Sequence, residues 1–238
     1  MSEIAGNASI LIAAECLSNL NSGKGLLMGG VSGVSNTDVV ILGAGTVGEF
    51  ASRSAIGLGA SVKVFDNSIS KLRRLQDKLH GRVDMNMINP KALEKSVRRA
   101  DVVVGAIRTR DSRTPCLISE DMVKLMKPGS VIVDVSIDRG GCVETSEVTS
   151  HKEPTFIKHG VIHYCVPNIP SRVARTASFS LSNIFSSLLL DIGDYGGVNK
   201  IIFNKPNIGQ GAYIINGHLV NKGIADWFNL PHKPFNLI

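Results

Sequence analysis

Residues 39–48 read VVILGAGTVG, and this stretch decides the fold. Its first four residues are apolar, which is typical of a short buried strand, and the spacing Gly-x-Gly-x-x-Gly follows at once. In such a sequence Gly43 permits a tight turn, Gly45 leaves room for a phosphate group, and Gly48 lets the next helix pack closely on the sheet. The stretch therefore predicts a strand, a turn and a helix whose N-terminus binds the pyrophosphate of a dinucleotide.

Strands and helices alternate from this point along most of the chain. Strands are predicted at 39–42, 62–65, 101–106, 131–135, 155–157 and 161–165, and helices at 4–20, 46–58, 68–79, 90–99, 119–126 and 176–191. Ser2, Asn89 and Ser119 are the expected N-caps of three of these helices. Because buried apolar strands that alternate with helices form a parallel sheet covered on both faces, we expect an α/β, doubly wound and mostly parallel Rossmann fold.

Three segments are expected along the chain. Residues 1–33 comprise a leading helix and a glycine-rich loop, residues 34–192 form the Rossmann domain, and residues 193–238 form an irregular tail rich in Gly, Asn and Pro. The chain has 238 residues, of which 43% are hydrophobic and 19% are charged. This length and composition are sufficient for a substantial core without disulfides or metal.

Charge and cysteine content narrow the class of protein. The formal net charge is +6, but the cations are scattered, and a phosphate-bearing cofactor explains local basic residues better than nucleic acid does. The four widely spaced cysteines indicate reduced thiols rather than disulfides or a metal site. Neither a signal peptide nor an apolar run of membrane-spanning length is found, so we expect a cytoplasmic protein with no membrane partner.

An acidic residue at the end of the second strand indicates which dinucleotide is bound. Asp66 lies 18 residues after Gly48, where a carboxylate accepts hydrogen bonds from the adenosine ribose hydroxyls. A carboxylate there repels the 2′-phosphate of NADP, so NAD is the predicted cofactor, although the nearby cation Lys71 would tolerate a phosphate. The alternative is a glycine turn that binds no ligand, with Asp66 merely capping the following helix.

Two further polar residues follow later strands. Asp138 precedes Gly140-Gly141, and ligands of open α/β sheets bind outside the carboxyl ends of strands, although a turn-forming Asp explains the pattern equally well. Asn168 is a candidate hydrogen-bond partner of the cofactor, but a segment such as 167–170 (PNIP) is more often a simple loop. The six histidines form no constellation, and each is better explained as a surface or core residue than as a catalyst.

Neighbours of these residues complete the predicted site. The predicted cofactor-binding residues are Gly43, Gly45, Thr46, Val47, Gly48, Asp66, Asn67, Lys71, Ile107, Ile137, Asn168 and Ile169. Asp138 is the catalytic candidate, and no metal ligands are expected.

Longer stretches resemble the alanine dehydrogenase and pyridine nucleotide transhydrogenase family, over about residues 1–230. They are 1–6 (MSEIAG), 29–34 (GGVSGV), 40–45 (VILGAG), 127–130 (KPGS), 133–138 (VDVSID), 140–146 (GGCVETS) and 163–170 (HYCVPNIP). The resemblance implies reversible oxidative deamination of L-alanine to pyruvate and ammonia with NAD. It also implies that Asp66 and Lys71 lie by the adenosine ribose, that Asp138 orients the amino group or an attacking water, and that Asn168 lies near the nicotinamide.

The sequence departs from the family pattern at two places. Arg108-Thr109-Arg110 stands where many members have an apolar loop, and the Met-Ser-Glu stretch begins the chain, whereas in the family it follows a substrate domain. That domain supplies a cationic clamp for the substrate carboxylate and an acid-base histidine. We therefore expect this chain to bind NAD with little or no turnover by itself. We also expect exposed apolar faces on the helix at 4–20 and on the tail after residue 193, which favour a homo-oligomer.

Two alternative functions stay open at this point. One is the NAD-binding part of a transhydrogenase-type protein, although residues 138–142 (DRGGC) favour the dehydrogenase. The other is a non-catalytic NAD-binding module. Asp138 argues against this second alternative, because NAD binding alone does not require that carboxylate.

Overall fold

A computed structural model of the chain describes residues 1–18, 22–109 and 113–235. These residues belong to two compact units, a larger one of residues 1–109 and 113–174 and a smaller one of residues 175–235. Within the described ranges, no helix combines the length and the hydrophobicity that crossing a membrane requires.

The larger unit is built on seven strands. They are β1 (Asp38–Leu42), β2 (Ser61–Asp66), β3 (Asp84–Met87), β4 (Val102–Gly105), β5 (Val131–Asp134), β6 (Thr155–Lys158) and β7 (Val161–Tyr164). They form one sheet in the order β3-β2-β1-β4-β5-β7-β6, in which only the edge pair β6 and β7 is antiparallel. The predicted α/β, mostly parallel Rossmann fold is confirmed.

Helices cover both faces of this sheet. They are α1 (Ser2–Leu17), α2 (Thr46–Gly57), α3 (Ile69–Lys78), α4 (Pro90–Arg99) and α5 (Glu120–Lys124). Side chains alternate along β1, because successive residues of a strand point to opposite faces. Val39 and Ile41 join a core with α1, α2 and α3, whereas Val40 and Leu42 join a second core with α4 and α5.

Local sequence explains where most of these elements begin. The side chains of Asn89 and Ser119 cap α4 and α5, as predicted. The prediction that Ser2 caps α1 is wrong. Ser2 is the first residue of the helix, and Met1 occupies the N-cap position without a side-chain hydrogen bond. The sequence also gave no sign of β3 (DMNM), an edge strand that is only partly buried and lacks a clear apolar alternation.

The leading helix α1 packs on the larger unit itself. It buries Ile10, Ile12 and Leu17 in the core shared with α2 and β1. Gly6 allows a close approach, since a Cβ there would lie 2.4 Å from the Val47 carbonyl oxygen. The expectation that this helix exposes an apolar face is therefore wrong, and Leu11 is its exposed large apolar residue. Residues 19–21, the last part of the predicted helix, lie outside the described residues.

The smaller unit has a different character. Its elements are α6 (Ala174–Asp194, which starts at the end of the larger unit), α7 (Val198–Asn204), α8 (Pro206–Gly209), β8 (Ile214–Ile215), β9 (His218–Leu219) and α9 (Lys222–Phe228). Its core is centred on Ile201, Ile202 and Ile215. Many of its large apolar side chains are exposed, among them Phe179, Ile184, Phe185, Leu189, Leu190, Phe203, Tyr213 and Phe228.

Candidate functional site

The turn after β1 has the geometry that its glycine spacing predicts. Gly43 has a φ of +109°, and a Cβ there would lie 2.5 Å from the Ala106 carbonyl oxygen. At Gly48 a Cβ would lie 1.8 Å from the Gly43 carbonyl oxygen, so no side chain fits. At Gly45, by contrast, a Cβ would meet nothing within 4 Å. Two glycines are thus required by the fold, and the third leaves open space.

That open space lies at the N-terminus of α2. Gly45 is the N-cap and has no side chain to accept a hydrogen bond from the first turn. Thr46 is exposed and Val47 is half-buried in this turn. The first amides of a helix lack intrahelical acceptors and carry partial positive charge, so this end of α2 favours a phosphate group.

Asp66 joins the end of β2 to the glycine turn. One carboxylate oxygen accepts a hydrogen bond from the Ala44 N–H at 2.8 Å and the other accepts one from the Ser68 N–H at 2.8 Å. Ser68, rather than Asp66, is the N-cap of α3. A carboxylate has about four lone-pair positions, so acceptor capacity remains for ribose hydroxyls. Asn67 and Lys71 are exposed beside it.

Arg74 is a neighbour of this turn that sequence reasoning missed. Its guanidinium donates a hydrogen bond to the Ala44 carbonyl oxygen at 3.2 Å. Arg74 lies three residues after Lys71 on α3, and residues three apart share one face of a helix. The spacing from Lys71 was the sequence signal that could have indicated Arg74. The hydrogen bond to Ala44 places the Arg74 guanidinium beside the glycine turn.

A cavity of about 350 Å³ lies outside the carboxyl ends of β1, β4, β5 and β7. It brings together five of the predicted residues, Val47, Ile107, Asp138, Asn168 and Ile169. The other lining residues include Ala106, Val135 and Val166, which are apolar, and Arg108, Ser136 and Arg139, which are polar. Ile137 is buried and does not line the cavity. Gly43, Gly45, Thr46 and Gly48 lie in the turn and the start of α2, Asp66 and Asn67 lie at and just after the end of β2, and Lys71 lies in α3. Val47 belongs to both regions.

The two polar candidates occupy unusual backbone positions. Asp138 is exposed in a 3₁₀ helix, Ile137–Arg139, that is followed by Gly140 with a φ of +97°. Asn168 is exposed and adopts the left-handed region, with a φ of 55° and a ψ of 48°, just before a second 3₁₀ helix, Ile169–Val173. Asn tolerates this region better than most residues. Asp138 and Asn168 both line the cavity.

Asp134 organises the loop that carries Asp138, and sequence reasoning did not single it out. It is fully buried at the end of β5, and burial raises the pKa of its carboxyl group. Its carboxylate accepts hydrogen bonds from the Ser136 N–H at 3.0 Å, the Cys142 N–H at 2.9 Å and the Ser146 hydroxyl at 2.8 Å. A Cβ at Gly141 would lie 2.8 Å from a carboxylate oxygen, so the second glycine of the Gly-Gly pair makes room for it.

The histidine and cysteine side chains of this region are structural. His163 is buried, its ring stacks on Phe156, and its two ring nitrogens contact the Thr145 hydroxyl at 2.8 Å and the Val161 carbonyl oxygen at 3.0 Å. Burial lowers the pKa of His163, which keeps the ring neutral. Burial also raises the pKa of Cys165 to about 12, so its thiol is a poor nucleophile. The expectation that His163 is a satisfied core residue is confirmed.

The sheet order and the glycine turn define a Rossmann-like α/β protein. Residues 9–222 match the model of a family described as the alanine dehydrogenase/PNT C-terminal domain. The chain belongs to this family, and the resemblance noted in its sequence is confirmed.

Individual relatives agree with that assignment. The chain is 42% identical over 235 residues to alanine dehydrogenase 2 of Staphylococcus aureus strain USA300, covering 98% of this chain and 63% of that protein. A solved L-alanine dehydrogenase superposes with a TM-score of 0.90 at 38% identity, covering 96% of this chain and 63% of that one. A transhydrogenase from Sinorhizobium meliloti shares the fold, with a TM-score of 0.66 at 24% identity, over 79% of this chain and 53% of its own. The chain thus spans less than two thirds of the length of these relatives.

Proposed function

We propose that this chain is the NAD-binding part of an L-alanine dehydrogenase, which converts L-alanine reversibly to pyruvate and ammonia. The observation that carries the proposal is that Val47, in the first turn of the helix that follows the glycine turn, lines the same cavity as Asp138 and Asn168. A dinucleotide needs both regions, since its pyrophosphate and its nicotinamide lie at different points along the carboxyl edge of the sheet.

The residues present fit NAD along this edge. The open space at Gly45 and the free amides of α2 suit the pyrophosphate, and Asp66 suits the adenosine ribose. The apolar residues Val47, Ile107 and Ile169 suit one face of the nicotinamide ring. When bound, NAD supplies a hydride acceptor, and the protein contributes binding and orientation.

Asp138 and Asn168 have separate roles in this proposal. The Asp138 carboxylate accepts hydrogen bonds from the substrate amino group and holds the substrate carbon towards the cofactor. The Asn168 amide hydrogen-bonds the carboxamide of the nicotinamide, which selects the rotation of the ring. Both roles depend on orientation, so the strained backbone at Asn168 and the glycine pair after Asp138 are part of the site.

The rest of the alanine dehydrogenase site belongs, in this proposal, to the additional length of the relatives. The segments 1–33, 34–192 and 193–238 then correspond to a connecting helix and loop, the NAD-binding domain and a return segment. The chain by itself turns over little or no alanine. The exposed apolar side chains of α6 favour association with a further surface, including a second copy of this cytoplasmic protein.

Calorimetric titration with NAD and NADP tests the proposal, followed by an assay of alanine-dependent NADH formation on the same sample. We expect NAD to bind more tightly than NADP, with turnover near zero. Gly45→Val fills the open space beside α2 and should weaken NAD binding at least about tenfold. Gly57→Val is the matched control, because a Cβ at Gly57 also meets nothing within 4 Å but lies at the far end of α2. Equal NAD affinity of both variants would contradict the cofactor site.

The choice between NAD and NADP is tested at Asp66. Asp66→Ser removes the acceptor for the ribose hydroxyls and the charge that repels a 2′-phosphate. We expect it to reduce the preference for NAD at least about tenfold, with Lys71 and Arg74 then free to attract the phosphate. An unchanged ratio of the two affinities would remove Asp66 from the cofactor site.

A further inference from the structure

Two hydrogen bonds converge on the backbone of Asn168, the left-handed residue that lines the cavity. Its carbonyl oxygen accepts one from the Ser171 N–H at 2.9 Å and another from the Ser171 hydroxyl at 2.8 Å. The same hydroxyl oxygen lies 2.7 Å from Nε2 of His151. His151 belongs to the segment that precedes β6, and Ser171 belongs to the 3₁₀ helix that follows Asn168. A chain of hydrogen bonds therefore leads from His151 through Ser171 to Asn168.

The direction of each hydrogen bond in this chain follows from the number of protons available. A carbonyl oxygen only accepts, so the Ser171 hydroxyl donates its single proton to Asn168. The Ser171 oxygen can then engage His151 only as an acceptor, so Nε2 of His151 carries a proton and donates it. His151 thus holds the Ser171 hydroxyl in the orientation that reaches Asn168.

These contacts hold the backbone of Asn168 in its unusual conformation. Rotation about ψ of Asn168 moves its carbonyl oxygen, so an oxygen that accepts two hydrogen bonds keeps ψ near the observed 48°. A left-handed conformation costs energy for an L-residue, even though Asn tolerates it better than most, and it persists where neighbouring contacts hold it. The backbone in turn determines where the Asn168 side chain leaves the chain at the edge of the cavity.

The residue after Ser171 ties the same 3₁₀ helix to α1. The Arg172 guanidinium donates a hydrogen bond to the Glu15 carboxylate at 2.5 Å. Both side chains are partly exposed, so this ion pair by itself contributes little. Of the two anchors, the one through Ser171 reaches Asn168 directly.

We infer that His151 and Ser171 are positioning residues for the cofactor, which orient Asn168 so that its amide meets the carboxamide of the nicotinamide. The inference rests on the proposed function and deepens it, because it names what fixes Asn168. Neither His151 nor Ser171 contacts the cofactor in this account. Sequence reasoning gave His151 no role, since it lies 17 positions before Asn168 and no local pattern joins the two.

The test compares NAD with ADP-ribose, which keeps the adenosine and the pyrophosphate and lacks the nicotinamide. Calorimetric titration gives both affinities for the wild-type chain and for Ser171→Ala, which loses the hydroxyl and keeps the backbone hydrogen bond. We expect Ser171→Ala to weaken NAD binding about threefold or more, as for the loss of one hydrogen bond, and to leave ADP-ribose binding within about twofold. Ser171→Thr keeps a hydroxyl and should restore most of the NAD affinity.

Ser54→Ala is the matched control. The Ser54 hydroxyl donates a hydrogen bond to the Asn7 side chain at 2.7 Å, between α2 and α1, and neither residue lines the cavity. This variant also loses one partly exposed serine hydroxyl, but it should leave both affinities within about twofold.

A double-mutant cycle tests whether His151 acts through Ser171. His151→Ala alone should weaken NAD binding about twofold or more. In the Ser171→Ala background it should have no further effect, because no hydroxyl is left for His151 to hold. Additive effects of the two substitutions would show that His151 acts independently and would overturn the inference.

Other outcomes separate this inference from the proposed function. Wild-type NAD affinity in Ser171→Ala, or an equal loss of NAD and ADP-ribose affinity, would overturn the inference and leave the cofactor site intact. If Asn168→Ala keeps the wild-type ratio of NAD to ADP-ribose affinity, the proposed role of the Asn168 amide fails, and the inference fails with it. Failure of the wild-type chain to bind either ligand would overturn the cofactor site itself.

Discussion

The two ends of the sheet each contain a buried aspartate, and they satisfy it in opposite ways. Asp101, at the amino end just before β4, accepts hydrogen bonds from Lys24 at 3.0 Å, from Lys127 at 2.9 Å and from the Asp38 N–H at 3.0 Å. Asp134, at the carboxyl end of β5, accepts hydrogen bonds from neutral donors. Asp101 is thus satisfied mainly by two lysines, whereas Asp134 is satisfied by neutral donors.

The pKa values of the two aspartates move in opposite directions for this reason. Burial acts to raise the pKa of Asp101, but the hydrogen bonds from the Asp38 amide, Lys127 and Lys24 outweigh it and hold the pKa below the ordinary value. At Asp134 burial dominates and raises the pKa. The comparison teaches that the buried aspartate at the carboxyl end needs no cation, and that the charged Asp138 in the loop it organises is exposed.

The largest expected effect on stability lies in the glycine turn. Gly48→Ala places a Cβ 1.8 Å from the Gly43 carbonyl oxygen, and we expect the free energy of unfolding to fall by about 3 kcal/mol. Gly57 is the last residue of the same helix, and a Cβ there meets nothing within 4 Å. Gly57→Ala should therefore raise the free energy of unfolding by less than about 1 kcal/mol. Urea denaturation of the two variants gives the comparison. Equal stabilities would mean that the turn is not closely packed.

The next effect concerns the amino end. Asp101→Asn removes the charge opposite Lys24, whose side chain is only 16% exposed, and should lower the free energy of unfolding by about 2 kcal/mol at pH 7. Asp121→Asn is the control, because Asp121 pairs with Lys124 on an exposed helix surface and its loss should leave the free energy of unfolding nearly unchanged.

The pH dependence of the same variant sharpens the test. Because the folded pKa of Asp101 is lowered, its contribution is complete above the unfolded pKa of about 3.9 and is lost as the pH falls through the folded pKa. The difference between the wild type and Asp101→Asn should therefore shrink below about pH 4. A difference that stays constant there would show that the ion pairs contribute nothing to stability.

A smaller effect of opposite sign is expected at the carboxyl end. Because the folded pKa of Asp134 is raised, the folded state holds this proton more tightly, and stability falls as the pH rises from the unfolded to the folded pKa. Asp134→Asn removes that fall. It should change the free energy of unfolding by only about 1 kcal/mol at pH 7, because losing one hydrogen-bond acceptor destabilises the fold while removing a buried charge stabilises it. Stability curves measured from pH 4 to pH 8 check the sign. A fall in stability with pH that survives in the variant would not come from Asp134.

The smallest expected effect on stability is at Asn168, where two variants separate the effect of the left-handed backbone from the effect of the side-chain amide. Asn168→Gly relieves the left-handed backbone and should stabilise the fold by about 0.5 kcal/mol, whereas Asn168→Ala should destabilise it by about the same amount. Both variants lose the amide, so both should weaken NAD binding to a similar degree. If only the alanine variant loses NAD affinity, the backbone conformation of Asn168 matters and its amide does not.

Much of the fold could be predicted because its signals are local. The apolar strand and the glycine spacing at 39–48 specify a turn with no room for a side chain at Gly43 and Gly48, and Asn89 and Ser119 mark the starts of two helices. The edge strand β3 was missed because its residues are partly polar and it forms by pairing with β2. The sequence predicted that α1 packs outside the larger unit, whereas it joins the core of that unit. The prediction failed because an apolar helix does not indicate which surface covers it.

The sequence by itself determined the Rossmann fold and the glycine turn, since each follows from residue type and spacing within a short window, and it offered Asp66, Asp138 and Asn168 as candidates. Only the tertiary structure decided that Asp134 is buried and organises the loop of Asp138, that Arg74 reaches the glycine turn, and that Arg108 shares a cavity with Asp138. The Arg74 contact and the shared cavity each join positions 30 residues apart in the sequence. Parallel strands bring their carboxyl ends to one edge of the sheet, and no local pattern records which side chains meet there.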